Sequence, residues 1–222
     1  MTRIAVAIPA YEAVHSVGSV VTRARAVIQD VLVIDDGSGD GTADAARAAG
    51  AEVHSFPHNC GKGAALSAAF SVLFSRGFTA VVTVDADGQH LPEEIPHLLA
   101  VDADLVLGTR DHLFAQMGTV RRFSNRLSSR AISWAAGQPL ADVQTGFRLY
   151  TRDLVERTGF PESGFEAESA VVVRAVRRGL RVAATPVRLG KADGRGTSHY
   201  RPVQDSLRIA AGVLRARFWS TR

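Results

Sequence analysis

The chain has 222 residues, 46% of them apolar and 22% charged, which suits one soluble α/β domain or a domain with a small appendage. A single cysteine, Cys60, excludes an internal disulfide framework and a cysteine-based zinc site, and no apolar run reaches the ~18 residues of a membrane span. Net charge is +4, a mild excess whose placement matters more than its size. A secretory leader is not expected, because Ile4–Ile8 is too short for its apolar region.

Strands and helices alternate along the first half. Arg3–Ile8 reads as a strand, Val14–Ile28 as a helix and Val31–Ile34 as a second strand. Gly41–Ala49 is a short helix stopped by Gly50, and Glu52–Ser55 a third strand. Lys62–Ser75 is a helix ended by Gly77, Ala80–Val84 a fourth strand, and Pro92–Ala100 a helix opened by proline. Leu105–Leu107 is a fifth strand. This rhythm predicts a mostly parallel, doubly wound sheet flanked by helices.

The second half is less regular. Arg121–Ala136 reads as a helix with Phe123, Leu127, Ala131 and Trp134 on one apolar face. Phe147–Tyr150 is a short strand, Glu166–Arg177 a helix and Arg181–Val187 a late strand. Lys191–Arg201 is a polar loop, and Gln204–Trp219 a basic amphipathic helix. Arg110, Arg121, Arg122, Arg126 and Arg130 stand against one acid, Asp111, which suits a polyanionic partner or a merely solvated basic face.

Every strand end in the first half carries polar residues. These are Pro9-Ala10-Tyr11-Glu12, Asp35-Asp36-Gly37-Ser38-Gly39-Asp40, His58-Asn59-Cys60-Gly61-Lys62-Gly63, Asp85-Ala86-Asp87-Gly88-Gln89-His90 and Gly108-Thr109-Arg110. Open α/β sheets bind ligands at that edge. Asp85 and Asp87, with the Gln89 amide, suit a hard divalent cation that keeps sites open for phosphate oxygens, or form an ordinary turn. The Asp36–Asp40 segment is not an EF-hand, since its twelfth position is Arg47. Gly61-Lys62 is not a P-loop, because Gly63 replaces the required hydroxyl residue. No Gly-rich dinucleotide turn follows the first strand.

Taken in order, these strings resemble family 2 glycosyltransferases of the GT-A fold, and within them the dolichyl- or polyprenyl-phosphate mannosyl- and glucosyltransferases. The resemblance continues through Arg121-Arg122-Phe123-Ser124-Asn125, Thr145-Gly146-Phe147-Arg148 and Phe165-Glu166-x-Glu168, so it spans roughly residues 3–200. It implies one GT-A domain over 1–222: a nucleotide-sugar half (1–110), an acceptor half (111–203) and a C-terminal amphipathic helix (204–222). It further implies a nucleotide-diphosphosugar donor, GDP-mannose or UDP-glucose. Pro9, Tyr11, Glu12 and Asp36 would hold the nucleoside, with Lys62 close by. Asp85, Asp87 and Gln89 would hold Mg2+ or Mn2+ on the diphosphate. Transfer is expected to invert the anomeric carbon by in-line attack.

The acceptor sets the remaining chemistry. A hydroxyl acceptor needs a general base. A lipid monophosphate arrives largely ionised and needs arginines to place it. Arg110, Arg121, Arg122 and Ser124 fit that role, as do Arg195 and His199 in the late loop. Asp87, Arg110 and Asp142 are the catalytic candidates, with Asp142 either a base or an orienter of the donor sugar. Glu166 and Glu168 equally suit pairing with nearby arginines.

The chain departs from the pattern in two places. Glu12 follows Tyr11 directly where these transferases carry an Asn between, and His199 stands where Lys is usual. Many of these transferases also continue into transmembrane helices, whereas Arg222 ends this sequence.

Leu207, Ala211, Leu214 and Phe218 share one helical face among arginines. That face either sits at an anionic membrane interface or packs on the body of the protein or on another subunit. The expected partners are the donor and a lipid-phosphate acceptor at a membrane surface, without nucleic acid, and with a homo-oligomer left open. The expected location is cytoplasmic, peripheral to the inner face of a membrane. Two alternatives remain: a family 2 enzyme acting on a hydroxyl acceptor, and a nucleotide-sugar-binding or nucleotidyltransferase-like protein.

Overall fold

The computed structural model describes residues 3–109, 132–140, 143, 145–190 and 202–218, with side chains from Leu207 onward in the last stretch. Seven strands form one sheet in the order β3-β2-β1-β4-β6-β5-β7. They are β1 (Ile4–Ala10), β2 (Val31–Asp35), β3 (Glu52–Ser55), β4 (Ala80–Thr83), β5 (Leu105–Thr109), β6 (Arg148–Thr151) and β7 (Val182–Pro186). All neighbours are parallel except β6, which runs antiparallel between β4 and β5.

The central strands are continuous apolar runs because both sheet faces are covered. All five residues of β2 are buried, and so are all five of β5. The edge strands β3 and β7 are half exposed. Helices α1 (Val17–Val27), α2 (Thr42–Ala48) and α4 (Ile95–Leu99) cover one face, packing Val17, Val20, Ala46, Ile95 and Leu98 onto Val6, Ile8 and Val33. Helices α3 (Lys62–Ser75) and α7 (Glu166–Arg177) cover the other, where Leu66, Phe70 and Val171 meet Ala7, Leu32 and Ile34. Described residues 132–136 form α5, and α8 (Pro202–Arg217) packs on α7.

Several boundaries differ from those expected. Strand β1 continues to Ala10, so Pro9 lies inside it, opposite Ile34. The Ala7 carbonyl accepts from Val84 and the Ala10 carbonyl from Asp36, so Pro9 turns its nitrogen toward β4. The β1–β4 ladder ends at Ala7–Thr83, and the missing N–H therefore costs no ladder bond. Helix α1 begins at Val17, and Pro92–Glu94 forms a 3₁₀ turn before α4. Helix α6 (Arg152–Thr158) was not expected. Its signals are short-range ones: Thr151 Oγ1 accepts from the Leu154 N–H at 3.3 Å, and Gly159 follows with φ 64°.

One apolar assignment is corrected and one open alternative is narrowed. Trp134 is 63% exposed, while Ile132, Ala135 and Ala136 are the buried residues of α5. On α8 the buried residues are Ile209, Val213 and Ala216, and the Leu207–Phe218 face is open. On α8 a second apolar face made the contact with the core instead.

Candidate active site

The C-terminal ends of β1, β2, β4 and β5 share one edge of the sheet, as parallel pairing requires, and the N-terminal end of β6 joins them. Along this edge the first two loops are tied to each other. The Glu12 N–H donates to Ser38 Oγ at 2.9 Å, and Glu12 Oε1 accepts from the Gly39 N–H at 2.9 Å. The Ala13 N–H donates to Thr42 Oγ1 at 2.7 Å and the Val14 N–H to Asp40 Oδ2 at 3.1 Å. Glu12 holds φ at +50°, the left-handed region that a non-glycine residue enters only when its surroundings compensate. The reciprocal bonds with Ser38 and Gly39 supply that compensation.

Asp36 ties this pair of loops to α3. Its carboxylate accepts from the Cys60 N–H at 2.7 Å and the Gly61 N–H at 2.9 Å. Burial pushes the Asp36 carboxyl above its usual range, against the pull of those two donors. Gly61 has φ +97°, and a Cβ there would run into the Ser163 carbonyl, so this position requires glycine.

Lys62, the first residue of α3, reaches into the site. Its Nζ lies 2.7 Å from Asp85 Oδ1 and 2.8 Å from Glu168 Oε2. Burial pulls the ammonium toward neutrality, but the two carboxylates outweigh it and hold Lys62 protonated, above its ordinary range. Glu168 Oε1 lies 3.8 Å from Arg148 Nε. Arg148 is fully buried and donates to the Thr145, Glu168 and Val143 carbonyls at 2.6–2.7 Å. It thereby fixes the segment entering β6 against the start of α7.

Asp85 is the hub of this network. Its Oδ2 lies 3.7 Å from Nδ1 of buried His90, whose ring stacks on Phe147 at 5.5 Å. Gly146 lies directly against it: a Cβ at 146 would overlap both Asp85 carboxylate oxygens. Thr83 Oγ1 holds the Gly146 carbonyl at 2.8 Å, so neither side yields easily. Gly146→Ala is therefore expected to cost about 1–3 kcal/mol of stability as an overpacked site. Thermal melting checks this loss.

Asp87 and Gln89 follow on the same turn. The Gln89 N–H donates to Asp87 Oδ1 at 2.9 Å, and the Gln89 carbonyl accepts from the Gly190 N–H at 2.9 Å. Residue Gly88 between them has φ +74°. The edge thus brings together Pro9, Tyr11, Glu12, Asp36, Lys62, Asp85, Asp87 and Gln89 on neighbouring strand ends and loops. Arg110, Arg121, Arg122, Ser124, Asp142, Arg195 and His199 lie outside the described residues. The arrangement adds Glu168, Arg148 and Gly146 to the residues that shape the site. Glu168 sits in α7 within the Phe165-Glu166-x-Glu168 string, and its pairing with Lys62 places it at the site.

A profile of the family described as glycosyl transferase family 2 matches residues 5–159. The chain belongs to glycosyl transferase family 2. It is 32% identical to the undecaprenyl-phosphate mannosyltransferase of Micrococcus luteus over 83% of this chain and 82% of that protein. It is 34% identical to the polyprenol monophosphomannose synthase of Mycolicibacterium smegmatis over 83% of this chain and 76% of that one. Among solved structures, glucosyl-3-phosphoglycerate synthase from Mycobacterium tuberculosis in complex with phosphoglyceric acid superposes with a TM-score of 0.74. That likeness has 22% identity and spans 99% of this chain and 81% of the other. The same synthase with Mn2+, UDP and glucosyl-3-phosphoglycerate gives a TM-score of 0.70 at 22% identity, over 97% and 78% of the two chains. The fold is GT-A, and the protein is a glycosyltransferase.

For a family 2 glycosyltransferase, the donor set at Asp85–Gln89 decides whether a cation fits. Among the described residues, no group of three or more His, Cys, Asp or Glu stands together to hold a metal. One Asp85 oxygen is already engaged by Lys62. The two carboxylates and the Gln89 amide still fit a hard cation that takes most of its oxygens from a diphosphate and water. They do not fit a cation held by protein alone.

Proposed function

We propose that this glycosyltransferase moves a hexose from a nucleotide-diphosphosugar, GDP-mannose or UDP-glucose, to a polyprenyl-phosphate acceptor, with Mg2+ or Mn2+ on the donor. The observation that carries this reading is the likeness over 83% of the chain to two relatives named for mannose and polyprenyl phosphate. Mn2+ with UDP in the fold relative's crystal structure supports the cation.

In this reading Asp87 and Gln89, with Asp85 behind them, are the protein's share of the cation's ligands. When bound, the cation neutralises charge building on the departing nucleoside diphosphate. Lys62, braced by Glu168, keeps Asp85 in place, so the turn is organised before the donor arrives. Asp36 and Glu12 hold the two loops that flank the nucleoside, with Pro9 and Tyr11 beside them. The acceptor phosphate arrives ionised and requires no base. Arg110, Arg121, Arg122, Ser124, Arg195 and His199 are assigned to placing it, because guanidinium groups bind phosphate oxygens in pairs. Asp142 is assigned to the donor sugar. Residues 1–110 serve as the donor half and 111–203 as the acceptor half.

The test is transfer of label from a small donor panel, partitioned between organic solvent and water. Label is expected in the organic phase, from a GDP- or UDP-hexose, and only with a divalent cation. Label confined to water-soluble glycan overturns the acceptor assignment. Arg121→Ala/Arg122→Ala is expected to raise the acceptor KM about tenfold or more, as lost charge-assisted phosphate contacts do. The donor KM should stay within about twofold, since this reading assigns the two arginines to the acceptor phosphate.

Cation binding offers a separate check. Mn2+ alone is expected to bind with a Kd on the order of millimolar, and at least about tenfold more tightly once a nucleoside diphosphate is present. Calorimetry measures both, and tight binding of Mn2+ alone contradicts the shared site.

No helix among the described residues is long and apolar enough to cross a membrane.

A further inference from the structure

Helix α8 carries two apolar faces, and the body of the protein covers one. Ile209, Val213 and Ala216 are buried, and Gly212 lets the helix approach α7, where a Cβ would meet Glu166 Cβ at 2.9 Å. On the opposite face Leu207, Leu214 and Phe218 are 67%, 48% and 76% exposed, with Ala211 exposed between them. These four residues fall at i, i+4, i+7 and i+11, a continuous stripe along the helix. Trp134 on α5 is also exposed and belongs to the same surface. Arg217 joins the two helices: its Nη1 donates to the Trp134 and Ala135 carbonyls at 3.0 and 3.1 Å, and its guanidinium lies 4.4 Å over the Trp134 ring.

The charges flanking this stripe have one sign. Arg208 and Arg215 border it on one side of the helical wheel and Arg217 on the other, and no acid occurs from Leu207 to Phe218. A lone exposed leucine is ordinary. A stripe of apolar residues with a neighbouring tryptophan and arginines on both flanks calls for a partner. A second copy of the chain would bring arginine flanks against arginine flanks with no acid to pair them, which two-fold association disfavours. A bilayer with anionic headgroups meets both needs, since it accepts the apolar stripe at the acyl boundary and the arginines at the phosphates.

We infer that α8, with Trp134, is a docking surface for an anionic lipid bilayer. The surface lies one helix from the site: Glu166 under Gly212 and Glu168 on Lys62 share the first turn of α7. That docking brings the site to its acceptor rests on the polyprenyl-phosphate reading; the surface itself does not.

The experiment is co-sedimentation of the full chain with vesicles of phosphatidylcholine, with and without phosphatidylglycerol. The protein is expected to pellet with the anionic vesicles, not with the neutral ones, and to be released by salt. Leu207→Ser/Leu214→Ser/Phe218→Ser should weaken pelleting about tenfold or more, because the apolar contribution is gone. Its melting temperature should stay unchanged, because these side chains are exposed. Arg208→Gln/Arg215→Gln, which leaves the apolar stripe whole, should lose the preference for phosphatidylglycerol. The serine variant should keep turnover on a short, water-soluble polyprenyl phosphate and lose it on vesicle-embedded acceptor. Vesicle binding without transfer to any lipid phosphate upholds the surface and sinks the acceptor reading. No binding to anionic vesicles overturns the surface, and a dimer in light scattering that the serine variant abolishes assigns the face to a second copy instead.

Discussion

Replacing Asp87 by alanine is expected to abolish sugar transfer, a loss of about 10³-fold or more in kcat/KM, while the fold survives. The carboxylate stands on the turn after β4, outside the core, where its Oδ1 accepts from the Gln89 N–H. Hydrogen bonds on such a partly exposed turn cost about 0.5–1.5 kcal/mol each to lose, against about 5–15 kcal/mol for a domain. The functional loss is larger because few protein ligands would hold the cation, so none is redundant. Metal-dependent binding of a nucleoside diphosphate should disappear in calorimetry while the far-ultraviolet circular dichroism stays unchanged. A variant that binds nucleotide and turns over normally removes Asp87 from the site.

Lys62→Met should produce a large loss of stability. The substitution leaves Asp85 and Glu168 facing each other without the ammonium that separates them. Breaking a buried ion pair from one side costs about 3–5 kcal/mol, and the lower end applies because Asp85 keeps a quarter of its side chain in solvent. At about 2–4 °C per kcal/mol the melting temperature falls by roughly 6–12 °C. Glu168→Gln should cost only about 1 kcal/mol, since Lys62 keeps Asp85 and the amide still accepts a hydrogen bond. The double variant Lys62→Met/Glu168→Gln should recover about 1–3 kcal/mol relative to the sum, because the like-charge contact is gone. Additive losses would show that Lys62 and Glu168 act independently.

The order of helices and strands was legible because periodicity and caps are local. Alternating apolar runs and glycine stops placed α3 and α7 at their observed ends, Lys62–Ser75 and Glu166–Arg177. The signals of helix α6 are equally local, since Thr151 and Gly159 mark its two ends. The polar strand ends were legible too. A parallel sheet puts them on one edge whatever the details of packing, so Asp36, Lys62, Asp85 and Asp87 stood out as a group.

Chain order and spacing, then, determined the α/β class, the polar edge of the sheet and the residues along it. The tertiary structure alone decided which charges meet. Glu168 lies more than a hundred residues from Lys62 in sequence, and they pair only because β6 inserts antiparallel between β4 and β5 and Arg148 pins α7 to that insertion. It likewise decided that Asp85 is shared between Lys62 and the Gly146 contact, and which apolar face of α8 is covered. The physical reason is the same in each case. A side chain's periodicity is set by its own segment, whereas its partner is set by which other segments the sheet order brings against it.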